Sequence, residues 1–420
     1  MVSHESIWLS GNGKRKPKGS LKGFHETGFA IVGAVITGIS AAYHLALGKK
    51  KVLVLEKDFV GAGATGNSAG ILVIGNGIDF HLALRQYGKR KALALWKATI
   101  KGIELIESLV REKSMGCEFE RNGNIYLSWK PSHNAILRKE AEALRRFGMK
   151  ADFVEGHELW KSIKSESFFG AVKTPYERNL NPLKLVQGLG ALAEKNGARI
   201  FENSPVHKIR FEHGEFIINA GKGTVRAREV IIAANAWSMK LGYPDKKTRA
   251  YSDYAVCTQP LDRMQLRSLG LIGRRAAWDT RQDYCMFRLT KDNRLLAMAC
   301  DVVEGGGKIV TFKKRSPAKI LKNIFSIFPQ LKGVQITHHW MGTTAVAKDM
   351  IPLINLGEKT KPAYSLAYDG NGLATGFFAG RAIANHFRNK LSGTEKEFLW
   401  ACSAKRKMPK ILDWVAPLET

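Results

Sequence analysis

The apolar positions of this 420-residue chain change pattern early. An apolar run at 29–32 gives way to a glycine turn, an apolar stretch of helical length that ends at Leu47, a basic break, and a second apolar run, Val52 to Leu55, closed by Glu56. Strand, turn, helix and strand in that order make a dinucleotide-binding βαβ unit, which points to a redox cofactor. Farther along, segments near 26–85, 166–245 and 336–390 alternate β-rich runs with glycine turns and helices. Residues 86–165 carry amphipathic helical patterns, Lys89 to Glu112 and Asn134 to Phe147, around a short strand at Asn124 to Ser128. Residues 246–335 read as strands at Tyr251 to Gln259, Tyr284 to Leu289 and Arg294 to Ala299, then a helix from Pro317 to Phe328. The expected architecture is α/β. A discontinuous Rossmann-like cofactor domain takes the first three segments, and an α+β substrate domain on an antiparallel sheet, 86–165 and 246–335, roofs it. Residues 1–25 are expected to form a leading arm and 391–420 a C-terminal tail.

The turn of the βαβ unit departs from the usual G-x-G-x-x-G. Gly33 and Gly38 hold its first and third glycine places, and Val35 stands at the second, where backbone normally approaches a pyrophosphate. A branched Cβ there puts cofactor affinity in question. Glu56 can accept hydrogen bonds from ribose hydroxyls and would repel a 2′-phosphate, which argues against NADP. Two other readings of Phe29 to Leu47 exist: an ordinary βαβ core, and a membrane anchor, since the stretch is nearly free of charge. Gly33, Thr37, Gly38, Ser40 and His44 interrupt the anchor pattern.

Directly after Glu56 comes GAGATGNSAG, Gly61 to Gly70. With it the chain resembles the FAD-dependent D-amino-acid oxidase superfamily, whose members carry a similar loop after the second strand. Three more segments resemble that family in order: NLNPLKLVQGLGALAEKNGARIFENSPVHKI at 179–209, VIIAANAWS at 230–238, and YDGNGLATGFFAGRAIANHF at 368–387. The likeness spans roughly residues 26 to 390, and four motifs in order are far more specific than one. Two segments, Trp278 to Cys300 and His338 to Asn355, look like the γ-glutamylputrescine oxidase-like group, beside a glycine oxidase-like branch. In that second branch an arginine ahead of the corresponding glycine clamps the substrate carboxylate. Here the positions read Trp340, Met341, Gly342, so the resemblance implies an amine more than an α-amino acid.

The resemblance implies a cofactor set for FAD. It comprises Gly33, Val35, Ile36, Thr37 and Gly38 in the turn; Glu56 and Lys57 after the second strand; Gly63, Ala64, Thr65, Asn67 and Ser68 in the loop; Val206 near the adenine; Ala234 and Asn235 at the closing strand; and Gly370, Asn371, Gly372, Leu373, Ala374 and Thr375 in the last motif. A helix from about Leu373 to Phe387 would aim its N-terminal amides at the flavin edge where negative charge develops. Tyr254, Tyr284, Arg288 and Trp340 are the candidate catalytic residues, with Trp278 and His339 nearby. Aromatic rings could pack around a cationic amine and Asp279 could pair with a distal ammonium. The plainer reading makes these aromatics core and Arg288 a surface ion-pair partner. The pair His338-His339 has no ligand partners at metal-site spacing, and no metal is expected.

Composition narrows the class. Hydrophobic residues at 45% fit a globular protein. Five cysteines, scattered and without a C-x-x-C, fit a reduced cytoplasmic protein. The formal charge of +29 invites anionic partners, but the basic clusters at Lys14 to Lys22, Lys313 to Lys322 and Lys405 to Lys410 lack the interleaved aromatics of a nucleic-acid groove, so nucleic acid is disfavoured. The sequence therefore predicts an FAD-dependent enzyme that oxidises the C–N bond of a small amine or amino acid by hydride transfer to the flavin, with oxygen or an electron carrier as acceptor. The alternative is a diverged relative in which Val35 has weakened or abolished FAD binding, leaving a non-catalytic binding protein. Homo-oligomers are left open.

Overall fold

The computed structural model describes residues 2–10, 17–243, 247–281, 284–304 and 317–407. Parts of all three basic clusters, 14–16, 313–316 and 408–410, lie outside the described residues, as does the tail beyond 407.

Two sheets meet at a shared cleft. The first centres on Lys22–Val32, which pairs in parallel with Val52–Leu55 on one side and Lys222–Ile232 on the other. Arg199–Phe201 and Ala363–Leu366 extend it in parallel on either side, and Leu353–Asn355 pairs antiparallel with Ala363–Leu366 at that edge. Strands covered on both faces must be apolar throughout, and Ala30, Ile31, Leu53 and Val54 are fully buried. The helix Ile36–Leu47 crosses between the first two strands and lies under a second helix, Gly372–Phe387. Gly376 and Gly380 permit that crossing: a Cβ at Gly380 would sit 2.2 Å from the Thr37 carbonyl oxygen.

The second sheet runs in the order Ile336–Ala347, Thr248–Pro260, Arg294–Glu304, Met286–Leu289, Ala276–Asp279, Asn124–Ser128, Gly170–Thr174, Asp152–Glu155. It is largely antiparallel, the pairing of Ala276–Asp279 with Asn124–Ser128 being parallel. Two segments expected in the cofactor domain, Gly170–Thr174 and Ile336–Ala347, belong to this roof sheet. The reason lies in pairing: Ile336–Ala347 runs antiparallel to almost the whole of Thr248–Pro260. The helices Lys89–Glu112 and His133–Arg146 form near their expected bounds; His133–Arg146 packs on the strands Asn124–Ser128, Gly170–Thr174 and Asp152–Glu155, whereas Lys89–Glu112 packs on Gly372–Phe387 and Gly393–Ala401.

Both ends of the described residues are tied in. Residue Ser3 pairs with His338 at the sheet edge and Trp8 is buried at 3% exposure. After the last cofactor motif, Gly393–Ala401 forms a helix with a capping box between Ser392 and Glu395, and Arg406 donates to both oxygens of Asp349 at 2.7 Å. Among the described residues no helix is long and apolar enough to cross a membrane, and the anchor reading of 29–47 gives way to a strand and a helix. Cys117, Cys257 and Cys402 are free, whereas Cys285 is disulfide-bonded, against the expectation of thiols alone.

Candidate active site

A cleft opens between the two sheets. Its floor is the turn Val35–Thr37 and its side is the loop from Ala64 to Gly70. Its far end is the turn Gly370–Leu373, and its roof carries Asp253, Tyr284, Met286, Met298 and Gly342 to Thr344.

The floor is shaped by backbone. Gly33 has φ +103°, and a Cβ there would lie 2.7 Å from the Ala233 carbonyl oxygen; at Gly38 it would lie 2.0 Å from the oxygen of Gly33. Only glycine fits either place. Val35 is extended, with φ −94° and ψ −177°, and its Cγ1 occupies the space beside Gly63, where a Cβ would come within 2.9 Å. The loop glycine thus makes room for the branched side chain that replaces the turn glycine. Glu56 is 5% exposed; its carboxylate accepts from Ala34 N at 2.7 Å and Asp58 N at 3.0 Å, and burial raises its pKa despite those bonds.

The loop is held from several sides. Asn67 donates to the carbonyls of Ala62 and Gly63, and Thr65 Oγ1 accepts from Ile36 N at 3.1 Å. Trp340 Nε1 donates to Asn67 O at 3.0 Å, Trp8 Nε1 to Ser68 O at 2.8 Å, and Ser6 Oγ to Gly66 O at 2.7 Å. Arg288, 1% exposed, donates through one guanidinium nitrogen to Gly70 O at 2.5 Å and Leu180 O at 3.2 Å, with its charge 5.3 Å over the Trp8 ring. Burial pushes its pKa down to about 10.

At the far end, Thr37 Oγ1 donates to the Tyr368 hydroxyl at 3.0 Å, and Asn235 accepts from Ala367 N and donates to Thr344 Oγ1. Asp369, just before Gly370, accepts from the Tyr251 hydroxyl at 3.2 Å, and burial pushes its carboxyl up to about 6. The hydroxyls of Tyr251 and Tyr284 are also raised, first by burial and then by the charges of Asp253 and Asp369.

The sequence-predicted residues divide accordingly. Val35, Ile36, Thr37, Ala64, Thr65, Asn67, Ser68, Asn235, Gly370, Asn371, Gly372 and Leu373 line the cleft, as does Tyr284. Gly33, Gly38, Gly63, Ala234, Ala374 and Thr375 stand behind that lining, and Glu56 and Val206 lie outside it. Lys57 points away, 2.9 Å from Asp58 and over the Trp237 ring. Three catalytic candidates are corrected. Tyr254 lies on the opposite face of its strand, packed on His339 in the core on the far side of the roof, because side chains alternate and Asp253 takes the cleft side. Arg288 and Trp340 hold the loop and do not line the cleft. Asp279, offered as an ammonium partner, is paired with Arg281 at 2.6 Å and donated to by Cys285 N. Asp253, Met298 and Thr343 were not anticipated; the signal for Asp253 was an acid set inside the β-rich run YSDYAVC.

A family model described as FAD dependent oxidoreductase matches residues 29–386. The chain belongs to that family, the DAO family. It is 27% identical over 405 residues to the gamma-glutamylputrescine oxidoreductase of Escherichia coli K12, covering 92% of this chain and 90% of that protein. Glycine oxidase of Geobacillus kaustophilus is 25% identical over 228 residues, covering 52% and 57%. The crystal structure of that enzyme superposes with a TM-score of 0.78 at 18% identity, over 92% of this chain and 100% of the other, which shows a shared fold.

The residues present fit FAD. Both helices that start at the cleft, Ile36–Leu47 and Gly372–Phe387, begin without a bond from the N-cap side chain; Ile36 N is taken by Thr65 Oγ1, and the amides of the first turn beyond it are offered to an anionic or carbonyl ligand group. Thr375 Oγ1, in the first turn of the second helix, is buried without a hydrogen-bond partner. Val35 to Thr37 and Asn67 would hold the diphosphate side, and Gly370 to Leu373 the ring.

Proposed function

We propose that this DAO-family FAD-dependent oxidoreductase oxidises the C–N bond of a small amine. The observation that carries the reading is the lining of the cleft, which among the described residues holds no Lys or Arg; the buried Arg288 on the roof strand donates through Nη1 to the Gly70 and Leu180 carbonyls, and the clamp position reads Trp340, Met341, Gly342. A carboxylate clamp of the glycine oxidase kind therefore has no counterpart among the described residues that line the cleft. The E. coli relative named for gamma-glutamylputrescine supports an amine in the same way.

When bound, FAD supplies a two-electron acceptor that takes hydride from the carbon bearing the neutral amine, leaving an imine for water to hydrolyse. The protein's part is placement. The extended Val35 and the first-turn amides beyond Ile36 would hold the cofactor, and the Gly370–Leu373 turn would offer the first amides of its helix to the ring. Tyr284, Met286, Met298, Ile71 and Val73 enclose the substrate in an apolar chamber that keeps bulk water from the reacting carbon. Oxygen or an electron carrier would serve as the final acceptor.

Anaerobic incubation of the FAD-loaded protein with alkylamines, diamines, sarcosine and amino acids tests the reading through bleaching of the flavin band. Bleaching by an amine is the expected result. A flavin that dithionite reduces but no amine bleaches would end it. Weakened cofactor binding through Val35 has less support, because Gly63 makes room for that side chain.

A further inference from the structure

The leading arm joins the roof of the cleft to its side loop. Ser3 sits beside Ile336–Ala347, the edge strand of the roof, where its N–H donates to Thr337 O and its carbonyl accepts from His339 N, both at 2.9 Å. Ser10 Oγ lies 2.8 Å from His338 Nε2 and makes a second attachment to the same strand. Between these points the arm reaches the loop from Ala64 to Gly70. There Ser6 Oγ donates to Gly66 O at 2.7 Å and Trp8 Nε1 donates to Ser68 O at 2.8 Å. Both side chains are buried, which strengthens bonds that water would otherwise compete for.

The two carbonyls that the arm takes are two residues apart. A trans peptide is planar and directs the N–H of each residue opposite to the carbonyl before it. With Gly66 O and Ser68 O drawn to the arm, the N–H groups of Asn67 and Ala69 turn to the side away from it, and both of these residues line the cleft. Asn67 O is held by Trp340, and Gly70 O by Arg288, whose charge stands 5.3 Å over the Trp8 ring. Four carbonyls of one short loop are thus fixed by four side chains, two of them from the arm. Backbone amides held in place from behind suit an anionic, carbonyl-bearing ligand such as FAD.

We propose that Ser6 and Trp8 are positioning residues for the cofactor: through them the arm holds the loop in its FAD-binding form, and bound FAD in turn holds the arm. Linkage makes the two effects reciprocal, so whatever the arm adds to FAD affinity, FAD adds to the docking of the arm. The inference rests on the FAD dependence of the family and not on the amine, so a flavin that no amine bleaches leaves it intact.

The test begins with the unaltered full chain, in amide hydrogen exchange with and without FAD. The amides of Ser3 and Leu9, bonded to Thr337 O and Ser6 O, are expected to exchange at least about fivefold more slowly when FAD is bound. Equal exchange in the two states overturns the proposal, and this measurement needs no variant that folds. The second measurement is the dissociation constant of FAD, from quenching of flavin fluorescence, for wild type, Ser6→Ala and Trp8→Phe. Trp8→Phe removes the indole N–H and keeps an aromatic ring beneath Arg288. Each variant should raise the dissociation constant by about fivefold, the worth of one neutral hydrogen bond, and should lower the FAD-induced protection of Ser3 and Leu9 with it. A merely structural arm, docked equally with and without cofactor, would lower the melting temperature of both forms alike and leave the dissociation constant unchanged. That result overturns the proposal.

Discussion

The floor and the roof of the cleft are built by different means. On the floor the decisive positions are backbone: Gly33 at φ +103°, Gly38 against the oxygen of Gly33, and two uncapped helix starts. On the roof they are side chains whose direction follows from strand parity, Asp253 and Met286 inward, Tyr254 and Phe287 outward. Backbone sites tolerate no added carbon, whereas a roof site should adjust. One substitution made on both walls measures this. At Gly38→Ala the new Cβ meets backbone oxygen 2.0 Å away, and the expected outcome is a loss upward of about 4 kcal/mol with no FAD retained on gel filtration. At Gly342→Ala the neighbours are Asn67 O at 3.2 Å and the Met298 methyl at 3.3 Å, and thermal unfolding should show a cost of about 1 kcal/mol. Equal costs would erase the distinction.

Titration offers a second contrast. His44, on the floor helix, is kept neutral: burial chiefly, with Arg381 and Arg388 adding repulsion, lowers its pKa to about 4, while its Nδ1 bonds the Ser40 carbonyl. The unfolded chain takes up that proton near pH 6.5, so stability is full above this value and falls as the pH drops toward 4, by at most about 3 kcal/mol. Asp369 has the opposite sign. Its folded pKa of about 6 exceeds the ordinary carboxyl value, so its ionisation opposes folding, and stability falls as the pH rises through the window from about 4 to 6, by a similar amount. Denaturant unfolding at pH 4.5 and 7 separates them. Asp369→Asn should gain most over wild type at pH 7, and His44→Gln should lose the acid-side slope. Parallel pH profiles for the two variants would contradict the assignment.

Arg288 sharpens the contrast, since it is a roof side chain that serves the floor. Arg288→Gln should cost about 2 kcal/mol, the range of hydrogen bonds from a charged donor, and weaken FAD retention by loosening the loop at Gly70. It should leave the preference between butylamine and 2-aminobutanoate unchanged. A shift of that preference would return Arg288 to the substrate site.

The same division explains what could be read from the sequence. Glycine spacing, the acid after the second strand and the NGLATG turn are local signals, and they located the floor because turn chemistry and helix starts act within a few residues. The roof depends on contacts between distant segments. That Ile336–Ala347 pairs with Thr248–Pro260 decides whether Asp253 or Tyr254 faces inward, and a shift of one residue reverses the answer. Arg288 lay in the expected strand and on the side shared with Met286, yet its destination was the carbonyls of Gly70 and Leu180, more than a hundred residues away in sequence. Trp340 was misassigned for the same reason, its partner being Asn67 O.

The smallest expected effect tests how the floor absorbed Val35. Its Cγ1 fills the space over Gly63, so the missing side chain at Gly63 leaves room for the valine that stands at the second place of the turn. A Cβ at Gly63 would come within 2.9 Å of that methyl, which a short branched side chain avoids only by leaving its rotamer. Gly63→Ala alone should therefore weaken FAD binding or stability by about 1 kcal/mol, and Val35→Gly alone by less, since Val35 already has an extended backbone that keeps the turn open. In the double variant the clash is gone, and its loss should fall below that of Gly63→Ala by a coupling of about 1 kcal/mol. Strict additivity in FAD titrations would mean that the valine and the loop do not compensate one another, and that the floor gained its tolerance elsewhere.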